Sequence, residues 1–354
     1  MSLSFLELHN LRNIVHTQLE PSQKLNLVFG SNASGKTSLL EAIHLLGLAR
    51  SFRSHAAGSF IQKGHAKTTI YGKYQAQEKA TTIGFEKSRQ KTELKLNGER
   101  LQQVSEIAKA LPLQILGPES HALVDAGPSI KRRFIDWGVF HVEHNYIEIW
   151  KKYRRILRQR NTALRKNPST APSWDKELAK CAEEIDTLRV EYLKKLKPRF
   201  LDNLEQITDL KELKVSYRRG WQKDKSLSEQ LKLSFTKDKQ TGYTGCGPHR
   251  ADLRLEVDGA PVDQILSRGQ QKLVVYALKI AQASLFSLER RCLFLIDDLQ
   301  AELDAQHRKK VLQLLASTNS QVFITATDKN ILDLSVWGEH KMFHVEHGNF
   351  KEVV

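Results

Sequence analysis

The chain contains 354 residues, with hydrophobic residues at 40% and charged residues at 27%, a composition that is typical of an ordered globular protein and excludes a disordered one. Its 55 Lys and Arg outnumber its 40 Asp and Glu, and the formal net charge of +15 favours a polyanionic partner, most simply nucleic acid. The three cysteines, Cys181, Cys246 and Cys292, form no C-x-x-C pair, which argues against a disulfide framework or a cysteine-ligated zinc site.

Localisation is predicted from the same features. No run of 18 or more apolar residues is present, and the first residues lack the basic and then apolar pattern of an export signal. Scattered cysteines fit a reducing compartment. The sequence therefore predicts a cytoplasmic protein with no membrane partner.

The first third of the chain is predicted to alternate between strands and helices. Residues 3–11 and 24–30 have the apolar pattern of strands, and residues 37–49 have the apolar periodicity of a helix. Two further strands, 68–76 and 92–101, are interrupted by Gly and Asn turns.

A phosphate-binding loop is predicted between the second strand and the helix. The segment "GSNASGKT" fits G-x-x-x-x-G-K-[ST], in which glycines let backbone N–H groups face phosphate oxygens and the helix dipole adds to the attraction. The lysine places a positive charge on the outer phosphates, and the threonine hydroxyl is a ligand for Mg²⁺. ATP and Mg²⁺ are therefore the expected ligands. The predicted contacts to ATP are Gly30, Ser31, Asn32, Ala33, Ser34, Gly35, Lys36 and Thr37.

The middle of the chain is predicted to be helical. Residues 131–166 and 174–197 have long helical patterns, and the turn-rich segment 167–173, with two prolines, separates them. This pattern predicts a helical hairpin with arms of about 25 residues. Heptads are not sustained over several repeats, so a long coiled coil is not expected.

Basic residues on the first arm are candidates for DNA contact. Lys151, Arg155, Arg158 and Arg165 lie near one helical stripe, which could follow a phosphate backbone without sequence preference. A solvated charged helix face explains the same stripe equally well. The segment 131–134, "KRRF", is also consistent with a position lining a dimer groove.

The last third returns to alternating strands and helices. Strands are predicted at 251–260, 291–298 and 321–327, and a helix is predicted at 305–318. The expected domains are a nucleotide-binding domain, formed by residues 1–125 and 240–354, and a helical lid inserted at 126–239.

The segment "LFLIDDLQAELD" predicts the second half of a nucleotide site. Its buried strand ends in Asp297 and Asp298, and a carboxylate beside the phosphate-binding loop can hold Mg²⁺ through water, a role we assign to Asp297 beside the Thr37 hydroxyl. Asp298 is then the residue that orients or deprotonates the attacking water. Lys36 and Asp298 are the predicted catalytic residues.

A helix is predicted to begin at the string "LSRGQQK", with Ser267 as its N-cap. The string resembles the signature motif of ABC-type ATPases, with Arg268 where a second small residue is usual, and it precedes the strand ending in Asp297 as it does in that superfamily. The resemblance implies that the helix N-terminus faces the γ-phosphate of ATP held by a second copy of the chain. The implied contacts are Ser267, Arg268, Gly269 and Gln270. Asp304 in "AELD" resembles the D-loop aspartate.

The chain as a whole resembles the bacterial RecF family of recombination mediators. The stretches that support this are "LHNLRN", "GSNASGKTSLLEAI", "GPSIKRRFIDWGVFH", "QRNTALR", "GPHRADL", "LSRGQQK" and "LIDDLQAELD", which run from one end of the chain to the other. The resemblance implies an α/β fold: an ABC-type P-loop ATPase head, with mixed sheets flanked by helices, and an inserted helical lid subdomain. It also implies ATP-dependent dimerisation on duplex DNA, either gapped or at a junction of single- and double-stranded DNA. A slow, DNA-stimulated ATPase, a place in replication-linked repair and the SOS response, and RecR and RecO as partners are implied as well.

Two departures from the wider ABC pattern predict a slow ATPase. Asp298 stands where a Glu is usual, and its carboxylate is one methylene shorter. The strand at 321–327 ends in Thr325 and Thr327, where ABC ATPases commonly place a γ-phosphate-sensing His. For the Q-loop, Gln114 and Glu119 are both candidates.

Three points stay open from the sequence. His249 and Arg250 in "GPHRADL" are typical of the family but have no mechanism. A DNA-binding scaffold that never hydrolyses its nucleotide is a rival function. The ATP-binding subunit of a transporter is another, and it predicts a membrane partner and indifference to DNA.

Overall fold

The computed structural model describes residues 2–54, 56, 58–76, 79–210, 212–286, 291–318 and 320–353. The chain divides into two compact units. The head unit comprises residues 1–120, 206–208 and 276–354, and the helical unit comprises residues 121–205 and 209–275. Among the described residues, no helix is both long enough and apolar enough to cross a bilayer.

A mostly parallel six-stranded sheet forms one layer of the head unit. Its strands, in spatial order, are β15 (Asn349–Val353), β14 (His340–Glu346), β3 (Leu25–Phe29), β13 (Gln321–Ala326), β12 (Leu293–Ile296) and β8 (Leu113–Leu116). Only the pairing of β14 with β15 is antiparallel. All residues of β12 and β13 are buried, as expected for central parallel strands covered on both faces.

A second six-stranded sheet in the head unit is antiparallel. Its strands, in spatial order, are β2 (Ile14–Leu19), β1 (Ser2–Leu11), β4 (Lys67–Ala76), β5 (Lys79–Ser88), β6 (Thr92–Leu96) and β7 (Glu99–Arg100). From His16 to Leu19, exposed and buried residues alternate along β2, which is the pattern of a sheet that packs on one face and meets water on the other.

Helices fill the space between and beside these sheets. In the head unit they are α1 (Lys36–Leu48), α2 (Val104–Ala110), the second part of α9 (Arg268–Ala283), α10 (Leu299–Glu302) and α11 (Ala305–Ala316). Helix α1 is almost wholly buried, and Leu39, Leu40 and Ile43 join residues of both sheets in one apolar core. The P-loop at its N-terminus is therefore held by the centre of the head unit.

The helical unit contains most of the helices and a small sheet. Its helices are α3 (Ala122–Asp125), α4 (Pro128–Val142), α5 (Tyr146–Lys166), most of α6 (Asp175–Ile207), α7 (Leu227–Thr241), α8 (Val262–Ile265) and the first part of α9 (Arg268–Ala283). The sheet has the order β11 (Ala260–Pro261), β10 (Asp252–Val257), β9 (Lys214–Arg218).

The fold class predicted from the sequence is confirmed, and one detail of the hairpin is corrected. The first arm of the hairpin is two helices, because Glu143 adopts an extended conformation that ends α4 and lets Tyr146 hydrogen-bond to Asp136 of α4. The helical unit itself extends to residue 275, because β10 pairs with β9 and keeps the following segment with this unit.

Candidate nucleotide site

The loop before α1 has the backbone that a phosphate-binding loop needs. Gly30, Ala33 and Gly35 all have positive φ (155°, 64° and 126°). A Cβ on Gly30 would lie 2.2 Å from the carbonyl oxygen of Val345, so only glycine fits there. Within the described residues, no side chain caps α1 at Gly35. The N–H groups of its first turn are thus left for a ligand, as at phosphate sites.

Lys36 is held over this loop. Its ammonium donates to the carbonyl oxygens of Gly30 (2.7 Å) and Ser31 (2.8 Å), and the residue is only 9% exposed. Burial lowers the pKa of Lys36, and the charges of Asp298 and Asp297 act in the opposite direction. A partly desolvated ammonium with two neutral partners is suited to bind a phosphate.

The turn between β1 and β2 braces the loop, which sequence reasoning missed. The Asn13 side chain donates to the carbonyl oxygens of Ser34 (2.9 Å) and Ala33 (3.3 Å). Arg12 forms a bidentate ion pair with the buried Glu41 of α1, with both N–O distances at 2.9 Å. The available signal was the string "LHNLRN", which contains both turn residues, but it did not indicate their partner.

Asp297 meets the P-loop threonine at the end of β12. The Thr37 hydroxyl donates to Asp297 Oδ1 at 2.9 Å, and the Thr325 hydroxyl donates to the same oxygen at 2.8 Å. Thr325 also accepts from the Asp298 N–H at 2.8 Å. Thr325 therefore positions the two aspartates, a role that its comparison with a phosphate-sensing His did not indicate. Thr327 lies farther out and pairs with the side chain of Gln300.

Asp298 has the geometry of a poised carboxylate. Its backbone is left-handed (φ 53°, ψ 55°), a conformation that costs an Asp about 1 kcal/mol or more. Its Oδ1 is buried and has no hydrogen-bond partner among the described residues. An unsatisfied buried oxygen is costly unless a ligand or water completes it. Asp298 therefore combines a left-handed backbone with a buried Oδ1 that is open to a ligand or a water.

The donor set beside the loop fits Mg²⁺. Thr37 and Asp297 supply a hydroxyl and a carboxylate oxygen, the ligand types that Mg²⁺ prefers. The Thr37 hydroxyl and Asp297 Oδ1 lie 2.9 Å apart, so the two oxygens meet at one point beside the loop. The residues present therefore fit the ion.

A buried lysine lies beside this donor set and was also missed. Lys279 lines a cavity of about 500 Å³ together with Thr37, Asp297 and Arg53, and its ammonium donates to the Ile115 carbonyl oxygen. Burial lowers the pKa of Lys279 to about 8. The available signal was a single cation within the apolar run that follows "LSRGQQK".

The two Q-loop candidates have different outcomes. Gln114 is buried within β8, and its amide donates to Gln282 at 2.6 Å, so it joins sheet to helix and does not line the cavity. The loop after β8 lines the cavity instead, through Gly117, Pro118 and Ser120. The side chain of Glu119 lies outside the described part of the chain.

The signature segment begins α9 as predicted. Gln270 N–H donates to the Ser267 hydroxyl (3.3 Å), and Ser267 N–H donates to the Gln270 side chain (3.0 Å), which together form a reciprocal capping box. Ser267, Arg268 and Gly269 are exposed. This helix N-terminus thus lies on the surface of the helical unit.

Asp304 is an exposed N-cap. Its carboxylate accepts from His307 N–H at 3.0 Å at the start of α11, and it pairs with the His307 ring at 2.6 Å. These bonds hold the D-loop in shape and leave it at the surface.

The string "GPHRADL" has a structural explanation in the helical unit. His249 Nδ1 accepts from the Tyr153 hydroxyl (2.6 Å) and Nε2 donates to the Thr244 carbonyl oxygen (3.0 Å), an assignment that follows from the carbonyl being only an acceptor. A Cβ on Gly247 would lie 2.7 Å from the Tyr153 hydroxyl. Arg250 is exposed, over the Tyr243 ring.

The His249 contacts predict a pH-dependent stability. Burial lowers the pKa of His249 from 6.5 to about 4. His249 therefore binds a proton more readily in the unfolded chain than in the folded one. As the pH falls from about 6.5 to about 4, the free energy of unfolding falls by roughly 3 kcal/mol. His249→Leu removes this dependence and lowers stability at pH 7. Urea unfolding followed by tryptophan fluorescence measures it, since four of the five tryptophans lie in the helical unit (Trp137, Trp150, Trp174 and Trp221).

His144→Leu is the matched control, because His144 is an exposed histidine of the same unit. It should keep the wild-type pH profile. An equal slope in wild type and His249→Leu would contradict the assigned role.

The basic stripe on α5 lies at the surface. Lys151, Arg155, Arg158 and Arg165 are all exposed. Lys151 pairs with Glu148 and Arg165 approaches the Gly242 carbonyl oxygen. From "KRRF", Arg132 donates to the Ala251 carbonyl oxygen (2.7 Å) and Phe134 is buried, so these two residues stabilise the helical unit.

Comparison with known proteins places these features in a family. Residues 2–350 match the family model described as the RecF/RecN/SMC N terminal domain. The chain is 44% identical, over 100% of its length and 98% of the relative's, to the DNA replication and repair protein RecF of Stutzerimonas stutzeri (strain A1501). It is 43% identical, over 99% and 98%, to the protein of the same name from Pseudomonas aeruginosa (strain LESB58).

Solved structures agree with this likeness. A structure of the recombination mediator protein RecF with ATP, in the RecFOR pathway, superposes with a TM-score of 0.86 and 26% identity over 100% of this chain and 98% of that one. An Smc head bound to the C-winged helix domain of ScpA superposes with a TM-score of 0.63 at 15% identity, covering 100% and 97%, which shows a shared fold.

Proposed function

The chain belongs to the RecF family of ABC-type ATPases, and on that premise we propose that it is an ATP-dependent, DNA-binding recombination mediator. Two copies associate head to tail, with ATP sandwiched between the P-loop of one and the signature segment of the other. The dimer closes on duplex DNA next to a gap, and slow hydrolysis releases it. It acts in the cytoplasm, in replication-linked repair and the SOS response, with RecR and RecO.

The phosphates of ATP bind along the P-loop. Backbone N–H groups of residues 30–37 surround them, and the Lys36 ammonium exchanges its carbonyl partners for phosphate oxygens. Mg²⁺ held by Thr37 and Asp297 would neutralise charge on the outer phosphates. Thr325 keeps Asp297 in place through its hydroxyl.

Asp298 is proposed to orient the attacking water and accept its proton. Its unpartnered Oδ1 supports this role. The shorter side chain of Asp, compared with the Glu usual in ABC ATPases, predicts weak turnover, and the family resemblance implies that DNA binding stimulates it. Hydrolysis then acts as a timer for release and not as a source of mechanical work.

The exposed N-terminus of α9 is the observation on which the dimer proposal depends. The Ser267 hydroxyl, the Gly269 backbone and the positive end of a 16-residue helix together form an anion-binding surface. We assign to this surface the γ-phosphate of ATP that is bound to a second copy of the chain.

DNA is proposed to contact the α5 stripe through phosphates. Its four exposed cations lie on one side of a helix, which favours salt-sensitive binding without base recognition. The net charge of +15 is in the same direction.

Ser267→Arg is expected to abolish dimerisation in ATP. The larger cation removes the cap and fills the space that a partner's γ-phosphate would occupy. Static light scattering with Mg²⁺ and ATP, and with ADP, measures the mass. The wild type should double its mass with Mg²⁺ and ATP but not with ADP. The variant should stay monomeric in both while still binding ATP.

Ser226→Arg is the matched control. Ser226 caps α7 with the same kind of capping box, formed with Glu229, and is equally exposed in the same unit. It should dimerise like wild type. A mass that ignores ATP, or a Ser267→Arg protein that still dimerises, would leave "LSRGQQK" as an ordinary cap and favour a monomeric ATP-binding scaffold.

A further inference from the structure

Three potential metal ligands meet on the β1–β2 hairpin, away from the nucleotide site. His9 and His16 are directly paired across the two strands, and Glu7 is paired with Gln18 one step along the same face. Residues i and i+2 of a strand project to one side, and paired residues lie about 5 Å apart. The hairpin register therefore places two imidazoles and a carboxylate together.

The ligand atoms converge on one point. Nε2 of His9 lies 3.1 Å from Glu7 Oε1, and Nε2 of His16 lies 3.4 Å from the same oxygen. The three ligand atoms all lie within 4.8 Å of one another, and the two rings stack with centroids 4.4 Å apart. Gln18 donates to the same oxygen at 3.1 Å.

The surroundings leave room for an ion. The side chains of Glu7, His9 and His16 are 28%, 44% and 48% exposed, so small rotations can bring the nitrogens closer. Gly84, which lacks a side chain, helps to form a cavity of about 260 Å³ beside them.

We propose that Glu7, His9 and His16 form a binding site for a transition-metal ion of the zinc class. Two imidazoles and one carboxylate are a ligand set for Zn²⁺, with a water as the fourth ligand, whereas Mg²⁺ and Ca²⁺ prefer oxygen alone. The ion takes the point where both Nε2 atoms now face the carboxylate oxygen. This site is independent of the proposed function.

The bound ion clamps the strands that present the P-loop brace. His9 and His16 lie three residues from either end of the Arg12–Asn13 turn, and the register pairs Leu11 with Ile14 between them. The Asn13 side chain contacts the Ser34 carbonyl oxygen. Zn²⁺ binding should therefore stiffen the hairpin that supports the loop, and raise the melting temperature of the protein.

A titration of the metal-free full chain with Zn²⁺ tests the site. Competition with a chromogenic chelator measures the stoichiometry and affinity of Zn²⁺ binding. Excess Mg²⁺ is present so that the Thr37–Asp297 donors are occupied and do not bind Zn²⁺. One Zn²⁺ per chain is expected, and His9→Gln or His16→Gln should weaken binding by at least about 10-fold. Co²⁺ in place of Zn²⁺ should show the visible absorption of a tetrahedral nitrogen–oxygen site in wild type only.

His65→Gln is the control, since His65 is an exposed histidine of the same unit outside the cluster. It should bind Zn²⁺ as wild type does and gain the same increase in melting temperature. Glu7→Gln provides a third ligand variant should either histidine variant lose its circular dichroism signal. The proposal is overturned if wild type takes up no Zn²⁺, or if the double variant His9→Gln, His16→Gln retains full affinity.

Discussion

Asp298→Asn is expected to reduce ATP turnover by about 10²- to 10⁴-fold, the usual contribution of a positioned general base. The amide cannot accept the proton, but it is the same size as the carboxylate, and the backbone bond from Asp298 N–H to Thr325 is unaffected. ATP binding and ATP-dependent dimerisation should remain. The dimer should then stay on DNA much longer than wild type, because the release step is lost.

Single-turnover phosphate release and dissociation from duplex DNA measure the two effects. Asp328→Asn is the control, because Asp328 follows the neighbouring strand β13, is exposed, and caps a short helical turn through Asn330. It should behave as wild type. If the Asp298→Asn protein dissociates from DNA at the wild-type rate, the nucleotide is structural. The protein is then a DNA-binding scaffold and not a dimer that hydrolysis releases.

Arg160→Met is expected to destabilise the helical unit by about 3–5 kcal/mol. The Arg160 side chain is fully buried and pairs with Asp175 at 2.6 Å and with Asp238 at 2.8 Å, and it also donates to the Thr244 hydroxyl. Methionine fills a similar volume but leaves two buried carboxylates without their cation. Urea unfolding followed by tryptophan fluorescence gives the difference in free energy.

Arg158→Met is the matched control, two residues earlier on the same helix. Arg158 is exposed, so its loss should change stability by less than about 0.5 kcal/mol. Arg158 also belongs to the α5 stripe, and the control should weaken DNA binding and reduce its salt dependence. Equal destabilisation by both variants would contradict the role given to Arg160.

Sequence patterns predicted the parts of the site that are contiguous in the chain. Residues 30–37 specify their own loop, because glycines at the ends permit the positive φ angles and the following apolar periodicity specifies the helix. The capping box of Ser267 and Gln270 is likewise local, as is the buried strand that ends in Asp297. The ABC-type fold followed from the order of these segments and is confirmed.

Contacts between distant segments could not be obtained in this way. Thr325 bonds to Asp297 because β13 lies beside β12 in the sheet, and this neighbour relation depends on strand order. Asn13 reaches Ser34 from another sheet. Gln114 was a Q-loop candidate by its position in the chain, but the pleat of β8 directs its side chain toward Gln282.

The basic residues show the same difference between local features and contacts that depend on distant segments. The sequence alone determined the local elements, the nucleotide-binding segments, the family and the excess of positive charge. Helical periodicity placed Arg158 on a stripe that does not include Arg160, but it could not show that Arg160 is buried between Asp175 and Asp238, because these aspartates come from other segments of the chain. Only the tertiary structure decided which cations face water, since burial depends on side chains that come from elsewhere in the chain and pack over the helix.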